Sequence, residues 1–498
     1  MITDTEPGIS PNRTDIRSAR LPVFCVAGAV FVLLLLASRN YGYFFDEAYF
    51  VIAGRDHLAW GYFDQPPLVP FLAGLSDRLF PGSLIALRLP ATLAATGGVL
   101  LTALITKDLG GRRGVQVVAA ITAAMTGATI ISHYLATYSL DPFFWTLIVF
   151  LLVRWTKQRQ TGRANDWLLL GAAGVTALSL ETKFLVPALW LAVLVCSLVL
   201  GPRDLVRRPV LWLGLLLAAA TAVPTLLWQA GHGWPYTRMR QVVTAEFPGT
   251  GSFLLQALTG AGLLIGVPLM LFGLGRLFVA ADVRPYRYLG AATVLLVIAF
   301  LVSSGRSYYV YCLYALPVAA GAAGLQRLRW PRVLCWLGRL LLVASVLGWL
   351  VVLPVYPKSW AERLPENLGP LLPSTAHGFV DGDSLIDELT TVMASTWQAL
   401  PPAERAHTAV LTDSYAFAAA VDLLGPAKGL PRAYSGHRGY YYFGQPLESA
   451  TDVLFFGTPS AAIAHDFRAH TALASDFATL YQGRLAPWPM LWPGLRSQ

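Results

Sequence analysis

The chain has 498 residues, of which 55% are hydrophobic and only 13% are charged, and its formal net charge is +9. Soluble proteins carry roughly twice this share of charged residues, so the composition excludes a water-soluble enzyme and, equally, a disordered chain. The basic residues stand in short clusters between apolar segments, which argues against nucleic-acid binding. We therefore predict an α-helical integral membrane protein.

Eleven mostly apolar segments are predicted as transmembrane helices, because a helix of about 20 such residues crosses a bilayer. Two long apolar stretches, 114–153 and 167–200, are each predicted to cross twice and to turn at polar midpoints, at residues 133–141 and 181–183. The predicted spans are residues 21–38, 84–105, 114–133, 138–154, 167–181, 183–200, 209–229, 253–275, 288–303, 308–326 and 333–353.

The basic residues predict the orientation of these spans. With the N-terminus in the cytoplasm, clusters such as Arg112 with Arg113 and Arg154 with Lys157 fall on the cytoplasmic side, and far fewer basic residues fall on the other. The excess of arginine over lysine is typical of bacterial coding. The sequence thus predicts a multi-pass protein of the bacterial plasma (inner) membrane, with a cytoplasmic N-terminus.

The first predicted outer loop, residues 39–83, interleaves aromatic residues with charge. It contains Asp46 and Glu47 directly after the first span, and Asp64 before two prolines. Residues 51–60 are predicted to form a short amphipathic helix that lies in the membrane interface. Such an element is a natural place to admit a lipid headgroup.

Ionisable residues at the edge of a membrane are costly to keep there, so each is a functional hypothesis. Carboxylates close to several cations, over a lipid-facing cavity, form a site able to deprotonate a hydroxyl and bind a phosphate. Besides the loop acids, the residues predicted at this outer edge are His133, Asp141, Lys183, His232 and Arg306.

After the last span the chain changes character. Spaced prolines predict an extended linker over residues 354–375, which follows the multi-span domain of residues 1–353. Residues 376–498 are predicted to form a small extracytoplasmic α/β domain. Its predicted strands are residues 408–412 and 453–456, and its predicted helices are residues 383–399 and 415–424.

Several of these segments resemble the superfamily of protein O-mannosyltransferases and aminoarabinose transferases, which are GT-C glycosyltransferases. The strongest similarity is the Asp46-Glu47 pair followed by Gly61-Tyr-Phe-Asp-Gln-Pro-Pro and Arg88-Leu-Pro. Further similar segments are Asp141-Pro142, Thr182-Lys183-Phe184, His232-Gly-Trp-Pro, Gly305-Arg-Ser-Tyr-Tyr, Thr412-Asp-Ser-Tyr and Ala433-Tyr-Ser-Gly-His.

The resemblance implies an inverting transfer of a sugar from a polyprenyl-phosphate donor to an acceptor hydroxyl on the outer face. Asp46 is then the general base, with a solvated loop acid as the alternative. Glu47 orients the acceptor or binds a metal, unless it too is only a loop acid. Asp141 is a further acid of the site or, alternatively, part of a helix N-terminal cap.

The cations implied to bind the donor phosphate are Lys183, Arg306 and Arg88. The superfamily commonly has lysine where this chain has Arg306, and arginine keeps the charge and adds a fork for phosphate. The alternative for Arg88 is an ion pair with Asp64 or Asp77, and for Lys183 it is snorkelling to the surface.

Three residues, Asp64, His232 and Tyr62, are predicted to belong to the acceptor side of the loop, although turn formation explains Asp64 as well. The partners implied are membrane lipid, the lipid-linked sugar, and a glycan, lipid or protein acceptor. No cofactor is certain, and a divalent cation is possible. The main competing function is a secondary transporter, which predicts inverted repeats and acids near the bilayer midplane; a structural or binding membrane protein is a further alternative.

Overall fold

The structure is a computed structural model that describes residues 18–163, 165–262, 264–329, 331–366, 375–458, 461–473 and 477–497. The N-terminal residues 1–17 and residues 367–374 of the predicted linker lie outside the described residues.

The part of the chain before the linker is helical. Its first helices are α1 (Arg20–Ala37), α2 (Phe45–Asp56), α3 (Leu68–Leu79), α4 (Leu84–Asp108), α5 (Arg113–Ala124), α6 (Gly127–Ile130), α7 (Thr137–Gln160), α8 (Trp167–Leu180) and α9 (Val186–Leu200). They are followed by α10 (Pro209–Thr221), α11 (Val223–Gly231), α12 (Met239–Ala245), α13 (Thr250–Thr259), α14 (Gly266–Val279), α15 (Arg287–Val302), α16 (Ala315–Leu325), α17 (Arg332–Val352) and α18 (Lys358–Ala361). Short 3₁₀ helices occur at Ile131–His133, Pro235–Arg238, Ala281–Tyr286 and Ser307–Leu313.

Each predicted span coincides with helical structure, but not every one is a single long helix. Within the described ranges, five helices are long and apolar enough to cross a membrane: α1, α4, α7, α15 with the 3₁₀ turn before it, and α17. Three bent pairs, with bends of 57°, 41° and 50°, raise the number to eight if each pair is one crossing. The helices α8, α9 and α14 are shorter apolar helices. Eleven crossings therefore remain a prediction.

Helix α2 differs from the interfacial helix predicted at residues 51–60. It begins at Phe45, where the Glu47 side chain accepts a hydrogen bond from the backbone N–H of Phe44 (3.0 Å). Its residues from Glu47 to Gly54 are all buried, because α3 covers one side of the helix and the C-terminal domain covers another. Close approach to α3 requires Gly54, since a Cβ there would lie 1.8 Å from the carbonyl oxygen of Pro70. The residue pattern that predicted an amphipathic helix in the membrane interface therefore belongs to a helix that is buried by other parts of the protein.

The C-terminal part forms the small α/β domain that the sequence predicts. Its five-stranded sheet has the order β2-β1-β3-β5-β4, in which β1 pairs in parallel with β2 and β3 while β5 is antiparallel to β3 and β4. The strands are β1 (Thr408–Thr412), β2 (Ala433–Ser435), β3 (Asp452–Phe456), β4 (Phe467–Ala472) and β5 (Ala478–Arg484). The helices are α19 (Ala376–Ala399), α20 (Pro402–Arg405), α21 (Tyr415–Leu424), α22 (Ala461–His465) and α23 (Trp488–Leu491), with 3₁₀ helices at Pro426–Lys428, Arg438–Phe443 and Trp492–Leu495. Strand β1 and helix α21 have the predicted bounds.

One continuous hydrophobic cluster joins this domain to the helical part. The cluster includes Tyr49 and Ile52 of α2, together with Met393 of α19, Ala419 of α21 and Leu454 of β3. Because burial of apolar surface is the main stabilising force between packed elements, the domain is docked on α2 by a shared core. This docking places the N-terminal end of α21 against α2, in the first predicted outer loop.

Candidate active site

A cavity of about 560 Å³ lies where α2, the C-terminal domain and the ends of several helices meet. Its volume is within the range of small-molecule sites. The cavity brings together four of the sequence-predicted site residues, Asp46, Asp64, Lys183 and Arg306. Aromatic side chains line much of the remaining wall, among them Phe44, Tyr134, Tyr138, Tyr236, Tyr308, Tyr309 and Tyr415.

Asp46 is the second residue of α2 and points into the cavity, where its side chain remains partly accessible. The hydroxyl of Tyr415 donates a hydrogen bond to its Oδ1 (2.6 Å). Burial raises the pKa of Asp46, whereas this hydrogen bond and the charges of Arg438 and Arg306 lower it. Burial thus makes the carboxyl group a stronger base than an exposed aspartate, while these partners favour its ionised form.

Asp64 lies in the loop between α2 and α3 and faces the same cavity. The hydroxyl of Tyr49 donates to its Oδ1 (3.2 Å). Burial raises the pKa of Asp64 to about 6; the Arg438 guanidinium opposes this shift and the Asp46 charge adds to it. The two acids therefore share one electrostatic environment.

Lys183 supplies positive charge on the wall formed by the turn between α8 and α9. The turn is closed by a hydrogen bond from the Lys183 backbone N–H to the Ser179 carbonyl (2.8 Å). The ammonium group lies 4.2 Å from the centre of the Tyr309 ring and 4.9 Å from that of Tyr308. Aromatic faces attract a cation without neutralising it. The ammonium group is thus held in place with its charge available to an anion.

Asp141 lies behind this lysine. It is buried within α7, and its Oδ1 accepts a hydrogen bond from the Ser179 hydroxyl (2.7 Å). Its charge acts on Lys183 through space, although no ion pair within 4 Å joins them. Helix α7 begins at Thr137, so Asp141 lies inside it and the alternative of an N-terminal cap is wrong.

Two arginines supply further positive charge to the cavity, and both pair with Glu246 at the end of α12. Its carboxylate pairs with the guanidinium groups of Arg306 and Arg438, the latter at 2.9 Å. Burial opposes ionisation, but the two guanidinium groups lower the pKa of Glu246 below its usual range. Arg306 also donates to the Tyr308 hydroxyl (2.9 Å). One carboxylate therefore orients two arginines that line the cavity.

Glu47 and Arg88 are not placed as the resemblance implies. Their side chains form an ion pair (2.7 Å) in which both are fully buried, and neither is among the residues that line the cavity. Glu47 also accepts from the Leu135 backbone N–H, and Arg88 donates to the Ser38 carbonyl. Each is thus committed to the scaffold. Arg88 pairs with neither of the acids proposed as alternative partners, because Glu47 is closer to it in the fold.

Tyr62 and His232 also lie outside the cavity lining. Tyr62 is buried, and its hydroxyl lies within hydrogen-bond distance of the backbone carbonyls of residues 53 and 57, which holds the loop after α2. His232 stacks on Trp228 (ring centres 4.1 Å apart), and its Nδ1 lies 2.7 Å from the Trp228 carbonyl. His133 is buried beside the Ile130 carbonyl. All three have local structural partners.

Sequence reasoning missed Tyr415, Arg438 and Glu246. A signal existed for two of them, because the segments Thr412-Asp-Ser-Tyr and Ala433-Tyr-Ser-Gly-His end at Tyr415 and immediately before Arg438. Glu246 had no comparable signal, since it is an isolated acid in a loop. The cavity is thus built partly by the C-terminal domain.

The donor set for a metal ion is sparse. Within the described ranges, no three histidine, cysteine, aspartate or glutamate residues are grouped so that they form a metal site. Asp46 and Asp64 alone are a poor fit for a divalent cation, which takes six or more oxygen ligands.

Comparisons with known proteins agree on the type of fold. Residues 64–228 match the family model described as dolichyl-phosphate-mannose-protein mannosyltransferase. A comparison with curated proteins finds no match.

Among solved structures, ArnT from Cupriavidus metallidurans in the apo state matches with a TM-score of 0.59 and 14% sequence identity, over 93% of this chain and 98% of that chain. The same protein bound to undecaprenyl phosphate matches with a TM-score of 0.54 and 15% identity, over 93% and 97%. The Archaeoglobus fulgidus oligosaccharyltransferase has a TM-score of 0.47 and 14% identity, over 87% of this chain and 68% of that one. The family-model match agrees, over residues 64–228, with the resemblance to protein mannosyltransferases that the sequence predicts, and the ArnT structures share the fold of this chain.

Proposed function

We propose that this protein is a membrane glycosyltransferase that moves a sugar from a polyprenyl-phosphate donor to an acceptor hydroxyl, with inversion at the anomeric carbon. The observation that carries the proposal is the shared cavity, in which Asp46 and Asp64 face the same space as Lys183 and Arg306. A base and two cations around one space are what transfer from a sugar phosphate requires.

The Asp46 carboxylate takes the proton of the acceptor hydroxyl while the hydroxyl oxygen attacks the anomeric carbon. As that bond forms, the bond from the anomeric carbon to the phosphate oxygen breaks, and the lipid phosphate leaves with an added negative charge. Lys183 and Arg306 stabilise this developing charge. Asp64 faces the acceptor side of the same space.

The lipid nature of the donor is supported by two features. The helices around the cavity are apolar on their outer surfaces, which suits a site open to a prenyl chain. The ArnT structure with undecaprenyl phosphate shows that a protein of this fold binds such a lipid. A donor that arrives in the membrane also suits a site at the extracytoplasmic edge of the bacterial plasma membrane, the side on which we place the cavity.

We assign Asp141 to the support of Lys183, and Glu47 with Arg88 to the scaffold. The acceptor belongs to the hydroxyl-bearing glycans, lipids or proteins of the outer compartment. None of the described features favours a transporter, since the acids gather at one edge cavity rather than along a path through the bilayer.

The test is sugar transfer by the protein in lipid vesicles, from radiolabelled sugars linked to polyprenyl phosphate, to acceptor extracts from the outer compartment. We expect label in a glycan, lipid or protein product whose anomeric configuration is opposite to that of the donor. Retention of configuration would overturn the inverting mechanism. Uptake of a labelled solute into the vesicles without any sugar transfer would overturn the proposal that the protein is a glycosyltransferase.

A further inference from the structure

The C-terminal sheet domain contributes a side chain, that of Tyr415, which donates a hydrogen bond to the proposed base. Tyr415 is the first residue of α21, whose N-terminus is capped by the Ser414 hydroxyl accepting from the Ala416 backbone N–H. Its own backbone N–H donates to Nδ1 of His437, two residues after the end of β2 (3.2 Å). The backbone of Tyr415 is therefore fixed by the sheet.

The Tyr415 ring is equally well held. It lies edge-on to Tyr49 of α2, with ring centres 5.1 Å apart, and the Arg438 guanidinium lies 5.3 Å from its centre. The side chain is 6% exposed. Burial, and then the Asp46 charge, raise the pKa of Tyr415 well above its usual range. The hydroxyl thus stays protonated and keeps donating.

We infer that Tyr415 is a positioning residue for Asp46, so that the C-terminal domain is a part of the reaction centre and not only a platform for the acceptor. Its hydroxyl donates to Oδ1 of Asp46 at 2.6 Å, across 369 residues of sequence. The bond leaves Oδ2 to receive the acceptor proton. This inference rests on the proposed function.

The hydrogen bond has two effects on the base. It fixes the carboxylate plane relative to the cavity, which favours a productive approach of the hydroxyl. It also favours the ionised form of a carboxylate that burial disfavours. The charged or titratable groups that act on Asp46 are Tyr415, Arg438, Arg306, Glu246, Asp64, Tyr138 and Tyr308.

The test compares Tyr415→Phe with Tyr440→Phe in the full-length protein. Tyr440 is a matched control because it is also a buried tyrosine of this domain, and its hydroxyl donates to a carboxylate, that of Asp422, outside the cavity lining. For Tyr415→Phe we expect kcat to fall roughly tenfold or more, the effect of losing one hydrogen bond to a charged group, with the donor KM little changed. The acidic limb of the pH profile of kcat/KM should move to higher pH by about one unit. Tyr440→Phe should keep the wild-type profile.

Two results would overturn the inference. One is an unchanged kcat and acidic limb in Tyr415→Phe, and the other is an equal loss in both variants that follows the amount of folded protein. A third variant, Asp46→Asn, separates this failure from that of the proposed function. If Asp46→Asn is inactive while Tyr415→Phe is unaffected, only the inference fails; if Asp46→Asn transfers sugar normally, the proposed base is wrong and the inference falls with it.

Discussion

Arg88 donates from Nε to Oε1 of Glu47 (2.9 Å) and from Nη2 to Oε2 (2.7 Å), and neither side chain is exposed. The pair joins α4 to the start of α2, only one residue from Asp46. Arg88 also donates to the Gly42 carbonyl in the segment before α2 (2.7 Å). The position of the proposed base therefore depends on a buried ion pair that does not itself line the cavity.

We expect Glu47→Gln to destabilise the protein by about 3–5 kcal/mol, because it leaves the Arg88 charge buried without its partner. The apparent unfolding midpoint in detergent should fall by several degrees. Asp56→Asn, at the other end of α2, is the control: Asp56 pairs with Arg55 at the surface, so its loss should matter little. Equal midpoints for Glu47→Gln and the wild type would show that the pair is dispensable.

Lys183→Gln should weaken donor binding. The ammonium group lies over two tyrosine rings with no carboxylate within 4 Å among the described ion pairs, so its charge is free to act on a phosphate. We expect the apparent Kd for undecaprenyl phosphate, measured by fluorescence quenching in nanodiscs, to rise roughly tenfold or more, the effect of one charge-assisted hydrogen bond. Lys107→Gln, in the last turn of α4 and outside the cavity lining, should leave the Kd unchanged. Equal affinities for Lys183→Gln and the wild type would remove Lys183 from the phosphate site.

The raised pKa of Asp64 predicts that the free energy of unfolding depends on pH. Its pKa is raised from 3.8 to about 6, chiefly by burial, so between these values the folded state binds more protons than the unfolded state. Its contribution to stability therefore falls as pH rises from about 4 to about 6, and stays low above. We expect Asp64→Asn to raise the unfolding midpoint at pH 8, by an amount that corresponds to about 3 kcal/mol, and to change it little at pH 4. The same shift at both pH values would contradict this account.

The docking of the C-terminal domain predicts the effect of Gly439→Ala. A Cβ at this residue would lie 1.9 Å from the Tyr49 hydroxyl, so either the 3₁₀ helix that carries it or the buried Tyr49 ring of α2 must move. We expect sugar transfer to fall at least tenfold and protease cleavage between the two parts of the chain to accelerate. Gly494→Ala is the control, since its Cβ would meet no atom within 4 Å. Normal transfer by Gly439→Ala would show that the contact is not needed.

The sequence predicted those cavity residues that lie next to the ends of apolar segments, because the membrane itself places the segment ends. Asp46 and Lys183 each lie next to the end of an apolar segment, and helix ends on one side of a bilayer gather at one surface. Their meeting in one cavity agrees with the predicted topology, in which both segment ends lie on the same side of the bilayer. The strand at residues 408–412 and the helix at 415–424 were equally readable, because a short buried run and a capped apolar helix have strong local signals.

The remaining features depend on tertiary pairing, which has no local signal. The partner of Arg88, Glu47, is 41 residues away, and the sequence suggested Asp64 or Asp77 in its place. Helix α2 was wrongly predicted to be interfacial, because its own twelve residues do not show that α3 and the distant C-terminal domain bury it on several sides. Tyr415 belonged to a recognised segment, but its contact with Asp46 joins residues 369 positions apart and is visible only in the folded structure.

The most direct test of the central claim is the transfer rate of Asp46→Asn. Asparagine keeps the shape of the side chain and an oxygen for the Tyr415 hydroxyl, but it cannot accept the acceptor proton. We predict a fall in kcat of roughly 10²–10⁴-fold at an unchanged unfolding midpoint, while Asp77→Asn, which alters the carboxylate paired with Arg55 in the same outer loop, transfers at the wild-type rate. Transfer by Asp46→Asn at the wild-type rate would contradict the account.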